Sequence, residues 1–181
     1  KEPQSPFDSA NVTTVELDIT DESQVSMFFD SIDCVDVLIN NAGIGTFTPF
    51  EQRTVEEFMS VVDVNMKGTF LMCREAIKKM KVSGSGKIVN VGSVYGVVSS
   101  DYRIYGDSKR NNSEVYSMTK AAVIMLTKYL AAHYAKYNIQ VNAISPGGVM
   151  RSQTKDFLSN YSNRTPAGRL AKESDLLPAL E

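Results

Sequence analysis

The sequence contains the pattern Tyr-x-x-x-Lys twice within residues 104–120. Tyr105 and Lys109 form the first copy, and Tyr116 and Lys120 form the second. Residues four apart lie on the same face of a helix, so each copy could place an ammonium group near a phenol and lower the pKa of that phenol. Such a tyrosine can exchange a proton with a substrate near neutral pH. The sequence therefore offers two candidates for an acid–base site.

The segments that would carry these residues alternate between strand and helix patterns. Strands are predicted at residues 12–20, 35–40, 87–93 and 138–145. Helices are predicted at residues 21–32, 55–80 and 113–137. This alternation predicts an α/β fold with a doubly wound parallel sheet and helices on both faces, in three α/β/α layers. We expect residues 1–181 to form one domain.

The composition disfavours several classes of protein. A net charge of −2 over 181 residues gives no general electrostatic reason to bind nucleic acid or an anionic membrane. No apolar run approaches the roughly 20 residues of a membrane-spanning helix. Cys34 and Cys73 are too few for a disulfide framework, so we expect both to be small buried residues in a reducing cytoplasm. With one histidine and no Cys/His cluster, no metal site is expected.

Short polar motifs follow the predicted strands and helices in a definite order. Their residues are Asp18, Ile19, Asn41, Ala42, Gly43, Asn65, Ser93, Pro146 and Gly147. Together with Tyr116 and Lys120, this order resembles the short-chain dehydrogenase/reductase family over about residues 12–180. The resemblance implies a Rossmann-like fold. The family's N-terminal strand-helix-strand unit, with its glycine-rich turn, and its last strand are not in the sequence, which we interpret as incomplete at both ends.

The resemblance implies an NAD(P)-dependent oxidoreductase that transfers hydride between nicotinamide and an alcohol or ketone, such as a sugar or small carbonyl compound. The choice between NAD and NADP stays open. An acidic residue after the second strand of this fold would favour NAD and a basic one NADP, and that strand is in the unit that the sequence lacks. The alternative is a catalytically silent, dinucleotide-binding regulatory protein of the same fold. The resemblance also implies a homodimer or homotetramer paired through the helices at about 55–80 and 113–137.

The resemblance assigns a role to each motif residue. Tyr116 would exchange the proton, Lys120 would lower its pKa, and Ser93 would hydrogen-bond the substrate oxygen. Asn65 is expected to hold a water molecule that links Lys120 to solvent. The residues expected to contact the cofactor are Asp18, Ile19, Asn41, Ala42, Gly43, Tyr116, Lys120, Pro146, Gly147 and Val149.

Spacing and helix pattern disagree about which tyrosine is used. The family's usual spacing favours Tyr105, twelve residues after Ser93, over Tyr116, twenty-three after it. The residues after Lys109 are Arg-Asn-Asn-Ser, which are poor helix formers, whereas an apolar helical pattern follows Lys120. Because both groups must project from one rigid helix, we predict Tyr116 and Lys120 as the active pair.

Each motif residue also has an ordinary structural explanation. Asp18 could cap a helix, Asn65 could face solvent, and Ser93 could cap a strand end. Lys120 could be a solvated charge and Tyr116 an aromatic residue at a rim.

If Tyr116 is the active tyrosine, residues 99–112 form an insertion that could reshape the substrate site. Its basic residues, within 103–110, are expected to be solvated, although an anionic substrate could use them.

Overall fold

The computed structural model describes residues 12–108 and 110–180. Its α-helices are α1 (Glu22–Asp30), α2 (Val55–Val62), α3 (Thr69–Ser83), α4 (Glu114–Tyr134) and α5 (Lys155–Ser162). Its strands are β1 (Val37–Asn40), β2 (Gly86–Val91) and β3 (Ile139–Ile144). Short 3₁₀ segments include Val94–Gly96 and Tyr102–Ser108 in the chain between β2 and α4.

The strands form one parallel sheet in the order β1-β2-β3. Val37 of β1 lies opposite Lys87 of β2, and Gly86 lies opposite Ile139 of β3. Parallel neighbours require a crossover, which α2 and α3 provide after β1 and α4 provides after β2. The predicted α/β arrangement with a parallel sheet is therefore confirmed. All three strands end at the same edge, where residues 41–43, Ser93 and residues 146–147 follow them.

The hydrophobic core lies between one face of this sheet and three helices. Its sheet residues are Leu38, Ile88, Ile139 and Val141. Its helix residues are Val25, Phe29, Leu71, Cys73, Ala76, Ile77, Met80 and Leu130, from α1, α3 and α4. Alternate strand residues point to opposite faces, so Val37, Ile39 and Gln140 lie on the other face, where they are exposed. The core therefore holds α4 rigidly against the sheet.

Two predicted elements differ from the structure. Residues 12–20 form no strand, and no strand among the described residues hydrogen-bonds to them. The predicted helix at 55–80 is interrupted by a π-helical segment, Asp63–Gly68, between α2 and α3. Apolar periodicity does not reveal this change, because one wider turn alters the pattern little. Single π-helical turns often occur at functional sites, and this one contains Asn65.

A chain of polar side chains crosses the core below the edge where the strands end. The Asn40 Nδ2 group donates to Asn90 Oδ1 at 2.8 Å, and Asn90 Nδ2 donates to Thr127 Oγ1 at 2.9 Å. Asn90 is fully buried, so water cannot take its place as hydrogen-bond partner of Asn40 and Thr127. The chain therefore ties β1, β2 and α4 together.

Replacing Asn90 by alanine is expected to lower the free energy of unfolding by about 1 to 3 kcal/mol, because buried polar groups lose their partners. Asn142 provides a matched control, since it is an exposed asparagine on the neighbouring strand β3. Asn142→Ala should change the free energy of unfolding by less than about 0.5 kcal/mol. Urea denaturation of both variants measures the difference, and equal losses would contradict this account.

The two cysteines occupy different environments. Cys73 is buried, and its burial raises the pKa of the thiol to about 12. Cys34 is exposed in the turn between α1 and β1, so the prediction that both are buried was wrong for Cys34. No described helix has the length and apolar character needed to cross a membrane.

Candidate active site

The N-terminus of α4 presents Tyr116 and Lys120 from a regular helix. Ser113 caps the helix, and its hydroxyl accepts a hydrogen bond from the Tyr116 amide at 3.3 Å. The Lys120 Nζ atom lies 5.7 Å from the centre of the Tyr116 ring. The helix that the apolar pattern predicted thus carries the second Tyr-x-x-x-Lys copy as one unit.

The first copy lies in a different kind of element. Tyr105 belongs to the 3₁₀ segment Tyr102–Ser108, which is broken at Gly106, where φ is +52°. A left-handed φ favours glycine and ends any continuous helical face at this point. Lys109 lies outside the described residues. Tyr105 packs against Phe157 with ring centres 5.5 Å apart, and burial raises the pKa of its phenol.

Lys120 is a buried cation with few hydrogen-bond partners. Its residue is 5% exposed, and its Nζ atom donates to the Val91 carbonyl oxygen at 2.7 Å. That carbonyl is its one hydrogen-bond acceptor among the described residues. Burial lowers the pKa of the ammonium group by penalising its charge. An ammonium has three N–H donors, so Lys120 retains donors for a ligand. Lys120 is therefore not a solvated helix charge.

Asn65 connects the loop after β1 to α4. It is 1% exposed, so it does not face solvent. Its Oδ1 atom accepts from the Ile44 amide at 2.9 Å, and its Nδ2 atom donates to the Ile44 carbonyl at 2.9 Å and to Thr119 Oγ1 at 3.1 Å. A Cβ atom at Gly43 would lie 3.3 Å from Lys120 Nζ and 3.4 Å from Asn65 Oδ1. Glycine therefore allows the side chains of Lys120 and Asn65 to lie this close to the loop backbone. The water relay through Asn65 stays a prediction.

Ser93 lies just past the end of β2, beside the end of β3. The Gly92 amide donates to the Ile144 carbonyl at 2.8 Å, and the Val94 amide donates to the Pro146 carbonyl at 3.0 Å. Ser93 is buried, and its Oγ atom accepts from the Tyr95 amide at 3.1 Å. Ser93 therefore caps the 3₁₀ segment Val94–Gly96 that follows it. Its O–H group can still donate a hydrogen bond to another molecule.

Two cavities meet at these residues. One of about 270 Å³ has Lys120 in its wall and extends towards Arg151, Glu173 and Leu176. The other, of about 560 Å³, extends towards Phe47, Arg110 and Phe157. Both are lined by Gly43, Ser93, Tyr116, Gly147 and Val149. A molecule in one cavity would therefore touch a molecule in the other beside Ser93 and Tyr116.

The structure brings most of the predicted site residues together. The smaller cavity is lined by Asn41, Gly43, Ser93, Tyr116, Lys120, Pro146, Gly147 and Val149. Asn65 does not line this cavity but lies next to Gly43, which does. Ala42 lies between Asn41 and Gly43 in the sequence and does not line the cavity itself.

Asp18 and Ile19 line neither cavity. Asp18 accepts hydrogen bonds from the amide and hydroxyl of Thr20, both at 2.8 Å, which lower the pKa of its carboxyl group. The cap of α1 is Asp21, so Asp18 is not the helix cap. Ile19 packs against Gly68 of the π-helical segment, where a Cβ atom at Gly68 would lie 2.7 Å from Ile19 Cδ1.

Sequence reasoning missed two residues that support the site. Thr119 is fully buried, and besides accepting from Asn65 it donates to the Tyr116 carbonyl at 2.8 Å. Its position directly before Lys120 was the available signal. Tyr161, on α5, accepts a hydrogen bond from the Gly148 amide at 2.5 Å through its hydroxyl. No local sequence pattern indicates that contact.

The sequence matches a family model described as short chain dehydrogenase over residues 2–161. An uncharacterized oxidoreductase from Thermotoga maritima is 36% identical over 156 residues, covering 81% of this chain and 58% of that protein. A 2-dehydro-3-deoxy-D-gluconate 5-dehydrogenase from Formosa agariphila is 33% identical over 165 residues, covering 87% and 59%. The chain thus spans somewhat under two thirds of the length of these relatives.

Solved structures give the same result. A short chain dehydrogenase from Leptospira borgpetersenii with bound NAD+ superposes with a TM-score of 0.92 at 44% identity, covering 99% of this chain and 71% of that one. A gluconate 5-dehydrogenase from Burkholderia cenocepacia, in complex with NADP and tartrate, gives a TM-score of 0.80 at 29% identity, covering 90% and 64%. With the motif order, the parallel sheet and the family match in agreement, this chain belongs to the short-chain dehydrogenase family and has its Rossmann-like α/β fold.

Proposed function

We propose that the protein is an NAD(P)-dependent oxidoreductase that interconverts an alcohol and a ketone. The observation that carries this proposal is the meeting of two cavities at Ser93 and Tyr116, with Lys120 in the wall of one of them. One cavity can hold a cofactor and the other a substrate, in contact beside a proton donor. A regulatory protein that only binds a dinucleotide needs no such donor, so the silent alternative is not favoured.

The smaller cavity fits the nicotinamide end of a dinucleotide. Lys120 has N–H donors left for ribose hydroxyls, and Gly43 leaves room for a close approach to the backbone. Asn41, Pro146, Gly147 and Val149 would hold the rest of this end, while Asp18 and Ile19 would lie towards the adenine. The bound nicotinamide supplies or accepts the hydride. The Leptospira borgpetersenii relative holds NAD+ and the Burkholderia cenocepacia relative NADP, so we leave the cofactor as either.

The side chains of this chain would handle the proton. Tyr116 would donate its phenolic proton to the carbonyl oxygen in reduction and take it back in oxidation. The positive charge of Lys120 would stabilise the phenolate, because opposite charges favour the ionised form. Ser93 would donate a hydrogen bond to the same substrate oxygen and fix its position. Asn65 would keep the loop at Ile44 in place and hold a water molecule that returns the proton.

A cofactor-oxidation screen tests the proposal. The full-length protein is mixed with NADH or NADPH and a panel of ketones and keto-sugars, and the loss of reduced cofactor is followed by absorbance. We expect oxidation with at least one carbonyl compound, which fits relatives named as sugar-acid and alcohol dehydrogenases. Binding of the cofactor without turnover of any alcohol or ketone would favour the silent alternative instead.

We also propose that the chain is one cofactor-binding domain of a cytoplasmic homodimer or homotetramer. Both cysteines are free thiols, which fits a reducing compartment. The end of α2, the π-helical segment, α3 and α4 share an apolar surface, which we call the helix-pair surface. It consists of Val62, Met66, Phe70, Ala122, Val123 and Leu126, with Lys67 at its side. A second copy of the chain would bury it.

Replacing Phe70 by glutamate is expected to separate the subunits. Phe70 is 47% exposed on the helix-pair surface, and a carboxylate buried there by a second copy would lose its hydration and oppose association. Val82, also on α3, is 90% exposed and outside this surface, so Val82→Glu is the matched control. Light scattering should show a smaller mass only for the Phe70 variant. A monomeric wild-type protein at micromolar concentration would contradict the proposal.

A further inference from the structure

Among its described lining residues, the larger cavity carries a single positive charge. Its wall includes the loop after β1, four described residues of the insertion (Tyr105, Ser108, Arg110 and Asn112), and the chain around the start of α5. Among the described residues that line it, Arg110 is the only one with a charged side chain. No carboxylate is among these described lining residues, so none of them compensates the charge of Arg110.

Arg110 is held in a way that leaves its hydrogen-bond donors available. The centre of its guanidinium group lies 4.1 Å from the centre of the Phe47 ring, a stacking distance. This cation–π contact does not occupy the N–H donors of the guanidinium group, whose planar fork matches a carboxylate. The Arg110 amide also donates to Ser108 Oγ at 3.4 Å.

Neighbouring arginines behave differently. Arg53 donates to Glu114 at 2.8 Å, and Arg103 and Arg164 both donate to Asp101, at 2.8 Å and 3.0 Å. These arginines are structural, since each already has its carboxylate. Arg110 has no carboxylate partner in the described part of the chain. It is therefore distinguished from them by its stack on Phe47, its position in the cavity wall and its lack of an ion pair.

The other groups in the wall suit a small polar molecule. Asn112, Ser152, Gln153 and Thr154 offer hydrogen-bonding side chains. Tyr105 adds a phenol that remains neutral, because burial raises its pKa. Ser93 and Tyr116 lie in the same wall, so a molecule that reaches Arg110 can also present an oxygen atom to them.

We infer that the substrate of the proposed reaction is a hydroxy acid or oxo acid, whose carboxylate binds Arg110 while its reacting carbon lies beside Ser93 and Tyr116. This inference rests on the proposed function. A carboxylate matches one arginine both in charge and in its two parallel hydrogen bonds. A phosphate monoester carries a charge near −2 at neutral pH, so one arginine would leave it partly unpaired.

Binding of matched acids and esters tests the assignment. Straight-chain oxo acids, from levulinate upward in length, are titrated by calorimetry into the full-length protein loaded with oxidised cofactor, so that no reduction accompanies binding. Each acid is compared with its methyl ester, and dihydroxyacetone phosphate is a further probe. We expect at least one acid to bind about 10- to 100-fold more tightly than its ester, as for a charge-assisted hydrogen-bonded pair. The acid-over-ester preference should disappear in Arg110→Met. It should persist in the control Arg103→Met, because Arg103 is paired with Asp101 outside the cavity wall.

The outcomes separate this inference from the proposed function. Equal binding of acid and ester, no binding of any acid, or a preference that survives in Arg110→Met would overturn the inference. Tight binding of the phosphate ester alone would overturn the carboxylate assignment. Acid binding that depends on Arg110, without any cofactor oxidation in the ketone screen, would support the inference and remove only the proposed chemistry.

Discussion

Tyr116→Phe is expected to reduce turnover by about 100-fold or more, the usual loss when a general acid–base group is removed. The substitution keeps the aromatic ring and removes only the phenolic oxygen, so the packing at the start of α4 should survive. The affinity for the cofactor should change little, because Lys120 still provides its donors to the smaller cavity. Steady-state rates and a fluorescence titration of reduced cofactor measure both quantities.

Tyr105→Phe is the matched control for this prediction. Tyr105 lines the larger cavity but lies on a broken 3₁₀ segment rather than on α4. Its loss can change the KM for the substrate, but kcat should stay within a few-fold of the wild-type value. Loss of turnover in Tyr105→Phe, with turnover retained in Tyr116→Phe, would show that the spacing from Ser93 was the better guide.

Lys120→Met is expected to weaken both catalysis and cofactor binding. The unbranched methionine side chain fills much of the same space without the charge, so the proposed proton transfer at Tyr116 loses its neighbouring cation. We expect kcat/KM to fall by about 100-fold, in the range of lost acid–base catalysis. The dissociation constant of the cofactor should rise as well, since the ribose loses its donor.

Lys128→Met serves as the control for that variant. Lys128 lies on the same helix, α4, but is exposed to solvent. Removing its charge should leave both the rate and the cofactor affinity near their wild-type values. Equal effects of the two substitutions would mean that charge on α4 in general, and not a buried ammonium beside Tyr116, explains the loss. Lys109→Met gives the same contrast for the first Tyr-x-x-x-Lys copy.

The sequence predicted the parts of this molecule that depend on local pattern. The apolar runs of β1, β2 and β3 and the helical spacing of α4 led to the correct parallel arrangement. A continuous apolar pattern after Lys120, compared with polar residues after Lys109, indicated which copy lies on a helix. These features follow from periodicity and composition over short windows, and the sequence contains that information directly.

Other features depend on contacts between distant residues. The π-helical segment at Asn65 forms where its amide group bonds to Ile44, twenty-one residues away, and apolar periodicity does not report such a bond. The stack of Arg110 on Phe47 joins two loops that are far apart in sequence. Residues 12–20 have a strand pattern, but a strand exists only where a neighbour provides hydrogen bonds.

A single-turnover measurement separates the chemical step at Tyr116 from binding of cofactor and substrate. The full-length protein, saturated with reduced cofactor, is mixed rapidly with a ketone identified in the screen, and the decay of the cofactor absorbance is recorded. We expect fast decay in the wild type and in Tyr105→Phe, and decay slower by about 100-fold or more in Tyr116→Phe with the cofactor still bound. An unchanged rate in Tyr116→Phe would contradict the assignment of the site formed by Ser93, Tyr116 and Lys120.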